Sequence, residues 1–235
     1  MALGTEHTVK AFDADIGRLR GLIAEMGGRA EAALSDAMTA LVQKDLDLAA
    51  QVVKKDRKID ELEVEIEKLT VQTIALRAPM ADDLREVVAA LKIVGIIERI
   101  GDYAKNIAKR VPLITERSSI QPTALLPSMA QIAAEMVHDV LDAFAARDAD
   151  LAAAVCGRDK VVDDFYNGIF RTLVTYMMEN PKHISEAAHL LFIAKNIERI
   201  GDHATNIAEM IYFAATGQHL PERERGGSLP EQESE

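Results

Sequence analysis

Apolar side chains return every three or four residues along most of the chain, the spacing that lines up one face of an α-helix rather than one face of a strand. Ile59, Leu62, Ile66 and Leu69 form one such stripe. Val162, Phe165 and Ile169 form its equivalent in the second half, and Ile97, Ile100, Ala104, Ile107 and Ala108 share a face of a third stretch. Prolines and cap-forming residues divide the pattern into six helical stretches, expected at 6–44, 46–77, 80–110, 123–146, 148–179 and 183–215. Asp45 and Asp47 in KDLDLAA open the second as Asp148 and Asp150 in RDADLAA open the fifth. Pro79 and Pro181 stand before the third and sixth, where a residue without an amide donor forces a helix to start again. The chain therefore reads as all-α. Helices of about thirty residues would span roughly 45 Å at 1.5 Å per residue, which makes each half an elongated antiparallel bundle.

The third and sixth stretches are copies of each other. Ile97-Glu-Arg-Ile-Gly-Asp-Tyr-Ala-Lys-Asn-Ile-Ala108 returns one hundred residues later as Ile197-Glu-Arg-Ile-Gly-Asp-His-Ala-Thr-Asn-Ile-Ala208, changed at two of twelve positions. An internal duplication follows, and with it two similar three-helix bundles, 1–117 and 118–217, joined through a Pro-, Ser- and Thr-rich link between 111 and 127. The tail, 218–235, is polar, rich in Pro and Gly and without apolar periodicity, and is expected to be mobile.

Packing does not explain every repeated residue. Glu98, Asp102 and Asn106 form an i, i+4, i+8 line beside the apolar stripe, and Glu198, Asp202 and Asn206 repeat it. The changed positions, Tyr103/His203 and Lys105/Thr205, look like solvated sites that have drifted. Carboxylates one turn apart repel, so their retention points to a cation or to an arginine partner, and Arg99 and Arg199 recur beside them. Gly101 and Gly201 cost roughly 1 kcal/mol each inside a helix and imply close approach of a neighbouring backbone. The second stretch carries Asp56, Asp60, Glu63 and Glu67 along one line; the fifth carries Asp159 and Asp163, with Tyr166 and Phe170 replacing the two glutamates. Where such lines converge from two helices, hard oxygen donors suit Mg²⁺, Mn²⁺, Ca²⁺ or iron. Otherwise they form a charged surface that meets basic partners, or one tied down by internal salt bridges from Lys105 and Lys109.

The formal charge of −11 argues against nucleic acid or an anionic membrane as a partner. A single cysteine, Cys156 in an apolar helical setting, rules out an intrachain disulfide and a thiol-rich zinc site, and reads as a small buried side chain. The N-terminal segment lacks the pattern of a signal peptide and no run of eighteen apolar residues occurs, so a soluble cytoplasmic protein without direct membrane insertion is expected. No phosphate-binding glycine loop or nucleophile triad is present, and Gly27-Gly28 reads as a kink or packing point. Glu135-x-x-His138 and Glu186-x-x-His189 match the E-x-x-H pairs of ferritin-like di-iron proteins, an alternative that would need four helices in one bundle.

The acids around Lys55-Asp56-Arg57-Lys58-Ile59-Asp60-Glu61-Leu62, paired twice over with ERIGDxAxNIA, resemble the PhoU family of phosphate-signalling regulators, and the resemblance runs to about Gly217. It implies two three-helix bundles and a non-enzymatic adaptor that represses the phosphate-starvation response. The implied partners are the ATPase subunit of a phosphate ABC transporter and the PAS region of a sensor histidine kinase; a homodimer is expected separately, from the elongated helical shape. It also implies metal ions, of a divalent or iron type such as Mg, Mn, Fe or Zn, on the acidic faces. Carried over, the residues are Asp56, Asp60, Glu98 and Asp102 in the first half and Asp159, Asp163, Glu198 and Asp202 in the second, with Asn106 and Asn206 as weaker candidates.

Overall fold

A computed structural model describes residues 3–114 and 125–220, with side chains from residue 11 onward. The expected boundary near residue 118 and the tail beyond 220 lie outside the described residues. Among the described residues there are eight α-helices: α1 Leu3–Gln43, α2 Leu46–Lys55, α3 Arg57–Arg77, α4 Asp82–Ala108, α5 Leu126–Ala146, α6 Ala149–Cys156, α7 Asp159–Glu179 and α8 Ile184–Thr216. Short 3-10 turns stand at Val111–Leu113 and Pro181–His183, and no strand occurs among the described residues.

The start signals work as expected. Asp45 and Asp148 each accept a hydrogen bond from the amide three residues on, Leu48 and Leu151, at 2.9 Å. Lys44 and Arg147 before them take left-handed φ values of 55° and 56°, which turn the chain sharply between helices. The stretches 46–77 and 148–179 were expected to be continuous, but each is broken. At Asp56 the backbone keeps helical angles, yet the Ile59 amide bonds the Asp56 carbonyl at 2.8 Å, a tighter i to i+3 closure. At Gly157 and Arg158 the same tightening appears, with amides reaching Ala154 and Val155 at 3.1 and 3.0 Å. Apolar periodicity survives such a turn, which is why it does not reveal the break.

α4 and α8 form the central pair and run antiparallel, since Tyr103 meets His203 while Arg110 meets His189 and Phe192. α3 flanks α4 and α7 flanks α8. α1 packs on α3 and α4, α5 packs on α7 and α8, and α1 and α5 pack on each other, so the two halves close into one body around a common core. Ile93, Ile97, Ile100, Ala104 and Ile107 and their counterparts Ile193, Ile197, Ile200, Ala204 and Ile207 are all fully buried. Each isoleucine so buried contributes on the order of 2–3 kcal/mol.

Among the contacts that join the halves beyond this core, those of Gly27 and Glu86 stand out. Gly27 of α1 lies against Leu141 of α5, where an added Cβ would overlap the leucine methyls and sit 3.0 Å from Cγ, so the glycine is a packing point and α1 runs through it without interruption. Glu86 of α4 is buried between Arg20 of α1 and Arg147 of the second half, the latter at 3.3 Å. Sequence pattern alone missed this triad, because its three residues meet only after the halves dock.

Gly27→Ala is expected to destabilise the protein by about 1–2 kcal/mol, overpacking against Leu141 outweighing the gain in helix propensity; chemical denaturation reads the change. Glu86→Ala, which strands two half-exposed guanidinium groups at the junction, is expected to cost about 1–3 kcal/mol in the same measurement. An unchanged midpoint for either would remove that contact from the interface.

Candidate functional site

The acidic lines of the motif helices meet those of their flanking helices. Gly101 lets α3 come close to α4: a Cβ there would stand 2.8 Å from Ile59 Cδ1 and 3.6 Å from Asp56 Oδ1. Gly201 serves α7 in the same way, with Val162 Cγ1 at 3.3 Å. The repeated glycines are close-approach points, as their retention in both copies implied.

In the first half this approach carries the Asp56 carboxylate into the protein, where it is buried, and against α4. Lys105 Nζ donates to Asp56 Oδ2 at 2.5 Å and lies 2.6 Å from Asp102 Oδ1, bridging the two helices. Burial works against this ammonium, but its hydrogen bonds to Asp102 and Asp56, and their charges, hold its pKa above the ordinary lysine value. One to two turns further along, Asp60, Glu63 and Glu98 have no such clamp. Burial and the charges of Asp102 and Glu63, with a hydrogen bond to Asp102, push Glu98 up to about 7. Burial, then Asp56, raises Asp60; burial, then Glu67, raises Glu63. Arg99 approaches Glu98 only to 3.7 Å and remains 64% exposed, so it does not neutralise the line.

The second half places its lysine at the other end. Thr205 stands where Lys105 does in the repeat, and Lys195 stands where the first half has Gly95. Lys195 Nζ donates to Glu198 Oε1 at 2.5 Å and sits over the Tyr166 ring, 5.1 Å from its centre. Tyr166 itself replaces Glu63, whose Oε1 would lie 3.8 Å from a Cβ on Gly95. Asp163 is pushed up to about 6 by burial and then by the charges of Asp159, Glu198 and Asp202. Glu198 Oε2 and Thr205 Oγ1 are buried and make no hydrogen bond.

The donor chemistry of both clusters suits a hard cation, and in the second half Glu198 Oε2 is an uncommitted carboxylate oxygen among Asp163 and its neighbours. In the first half Lys105 already stands between Asp56 and Asp102. Among the described residues no group of three or more His, Cys, Asp or Glu side chains is arranged to hold a metal ion as the rotamers stand. The E-x-x-H pairs do not build a di-iron core either: His138 is 58% exposed against Glu31, while His189 lies against Arg110. Cys156 is buried, as its apolar setting indicated.

Tyr103 and His203 are not drifting solvated positions. They are related by the repeat and stack on each other, 5.4 Å between ring centres and 12° between planes, where an approximate twofold axis of the duplication passes between α4 and α8. His203 Nε2 lies 3.3 Å from the Tyr103 hydroxyl, and the Arg199 guanidinium is 5.8 Å from the Tyr103 ring centre. Burial, then Arg99 and Arg199, lowers the His203 pKa. Arg199 thus belongs to this junction, while Arg99 acts both on His203 and on the acids of its own half; at the other changed position Lys105 is a clamp and Thr205 is buried.

The duplicated bundle, the glycine-enabled helix contacts and the paired acidic faces define a class of all-α, two-repeat proteins whose polar residues are held on the motif helices. A profile of the PhoU domain matches residues 23–111 and again 126–211. The chain belongs to the PhoU family. It is 59% identical over 223 residues to a protein of Zymomonas mobilis named phosphate-specific transport system accessory protein PhoU homolog, covering 95% of this chain and 94% of that one. A homolog of the same name from Caulobacter vibrioides is 48% identical over 217 residues, 92% and 94% of the two chains. The crystal structure of PhoU from Pseudomonas aeruginosa superposes with a TM-score of 0.85 at 39% identity, covering 88% of this chain and all of that one. The phosphate transport system regulatory protein PhoU from Streptococcus pneumoniae gives 0.84 at 27% identity, covering 89% and 99%.

A carboxylate raised in the folded state holds its proton where the unfolded chain has lost it, so stability is complete below the unfolded value of about 4.5 and falls as pH rises through the folded one. In chelator, the melting temperature is therefore expected to fall between pH 5 and 8. Glu98→Gln is expected to raise it at pH 8 and leave it nearly unchanged at pH 5, as scanning calorimetry reads. Equal effects at both pH values would refute the carboxylate strain at this position.

Proposed function

We propose that this protein is a cytoplasmic, non-enzymatic regulator of phosphate uptake that represses the phosphate-starvation response when phosphate is plentiful. The observation that carries the reading is the match, over nearly its whole length, to proteins named as accessories of the phosphate-specific transport system. In this reading the chain acts as an adaptor. It links the ATPase subunit of a phosphate ABC transporter to the PAS region of a sensor histidine kinase, and it works as a homodimer. No helix among the described residues is long and apolar enough to cross a membrane, so contact with membrane components would run through such partners. The net charge of −11 favours basic surfaces on them.

Metal binding on the acidic faces is part of the same proposal. Asp159, Asp163, Glu198 and Asp202 would hold an ion in the second half, and Asp60, Glu98 and Asp102, with Asp56, are the corresponding residues in the first. A bound cation would supply positive charge that offsets carboxylate repulsion between the flanking and motif helices. The protein's own part is to bring the two acidic lines together through Gly101 and Gly201 and to fix them against a rigid core.

Two measurements test the reading separately. In a strain lacking this gene, a phosphate-responsive promoter is expected to fire in high phosphate and to fall silent when the wild-type gene returns; a promoter indifferent to the gene would refute the regulatory role. Metal content of untagged protein by plasma mass spectrometry is expected to drop on replacing Glu98, Asp102, Glu198 and Asp202 by alanine. Wild-type protein that retains no ion would make these faces docking surfaces instead.

A further inference from the structure

We propose that Lys105 is a resident cation of the first half: it fixes α3 on α4 without any metal ion and keeps divalent ions off Asp56 and Asp102. The inference rests on the metal-binding reading only for what an ion would do once the lysine is removed.

Lys105 satisfies the geometry of a bridging cation. Its ammonium reaches one carboxylate from each helix, at 2.5 and 2.6 Å, and its side chain is only 20% exposed. Asp56, at the tightened turn between α2 and α3, is the buried partner. An ion that coordinated both carboxylates would have to displace the ammonium and leave a partly buried lysine without its partners, a costly exchange. The repeat provides an internal comparison. At the same place on α8 stands Thr205, 8% exposed with its hydroxyl unpartnered, and the lysine of that half, Lys195, is at the far end of the cluster beside Glu198 and Tyr166. Each half therefore carries one lysine among its acids, placed at opposite ends. The two copies of one motif thus answer differently to divalent ions. At the Asp56–Asp102 level the first half is locked by its own side chain.

The test substitutes the residue of the other repeat. Amide hydrogen exchange is followed at Arg57–Ile59 on α3 and Asp102–Lys105 on α4, first in chelator and then with Mg²⁺, Mn²⁺, Fe²⁺ and Zn²⁺ added in turn. For the wild type, exchange there is expected to be the same with and without ions. Lys105→Thr is expected to exchange roughly tenfold faster or more in chelator, because Asp56 loses its counter-charge in a buried setting. At least one of the ions is expected to restore protection. Lys105→Arg, which keeps the charge, is expected to behave as wild type.

Wild-type exchange at these amides that slows on adding an ion overturns the proposal, whatever the variants do. So does a Lys105→Thr protein as protected as wild type in chelator, or one whose lost protection no ion restores. If ions protect Lys105→Thr in the first half but alter nothing at Asp159 and Asp202 in the wild type, the inference stands and the second-half metal reading fails. A Lys105→Thr chain that folds only with a divalent ion present is the expected result in its strongest form.

Discussion

Everything in this protein is hung on the antiparallel contact of α4 with α8. Each of the two helices buries a continuous stripe of isoleucine and alanine, and each then receives a flanking helix and a covering helix on its remaining sides. Such crowding around one rod is feasible only where small residues let backbones approach, and Ala104, Ala204, Gly101 and Gly201 supply them at matching heights. The pairing also explains the odd couple at its centre. Residues at a twofold axis meet their own counterparts, so Tyr103 and His203 form a single contact between two unlike rings, not two copies of one surface position.

The close approach has an electrostatic consequence. Bringing α3 onto α4 and α7 onto α8 drives two acidic lines together in partly desolvated surroundings, and burial first, then the neighbouring carboxylates, raise the carboxyl groups of Glu98 and Asp163. A bundle tolerates this strain because its core is large and contiguous. Each half then offsets part of the charge with one lysine, Lys105 in the first and Lys195 in the second, contributed from different turns of equivalent helices.

Much of this architecture was legible in the residues. The six apolar stretches, the aspartate caps, the prolines before α4 and α8, and the close-approach glycines all follow from local rules about periodicity, capping and helix propensity, and they match the observed elements within a few residues. The acidic lines could converge only where their helices are neighbours, and α3 and α4 are, with Lys105 bridging Asp56 and Asp102. What escaped were facts of docking. The turn at Asp56 preserves the apolar period, so periodicity is blind to it. Glu86 joins Arg20 and Arg147 from three distant segments, and Tyr103 looked variable because the position meets itself across the axis.

The surfaces of the two repeats differ as well. Where the first half carries Glu67 on α3 and Lys92 on α4, the second carries Phe170 and Phe192, and both rings are well exposed at 41% and 55%. Phe192 is in addition covered on one side by the Arg110 guanidinium, 4.1 Å from its centre, which draws the end of α4 onto the second half. One bundle therefore offers charge at positions where its twin offers aromatic surface, on frameworks that the core keeps alike. Exposed aromatic rings favour partners with apolar or cationic surfaces, while charged side chains favour polar ones. The two halves are thus made unequal by substitutions outside the core, where they leave the α4–α8 packing untouched.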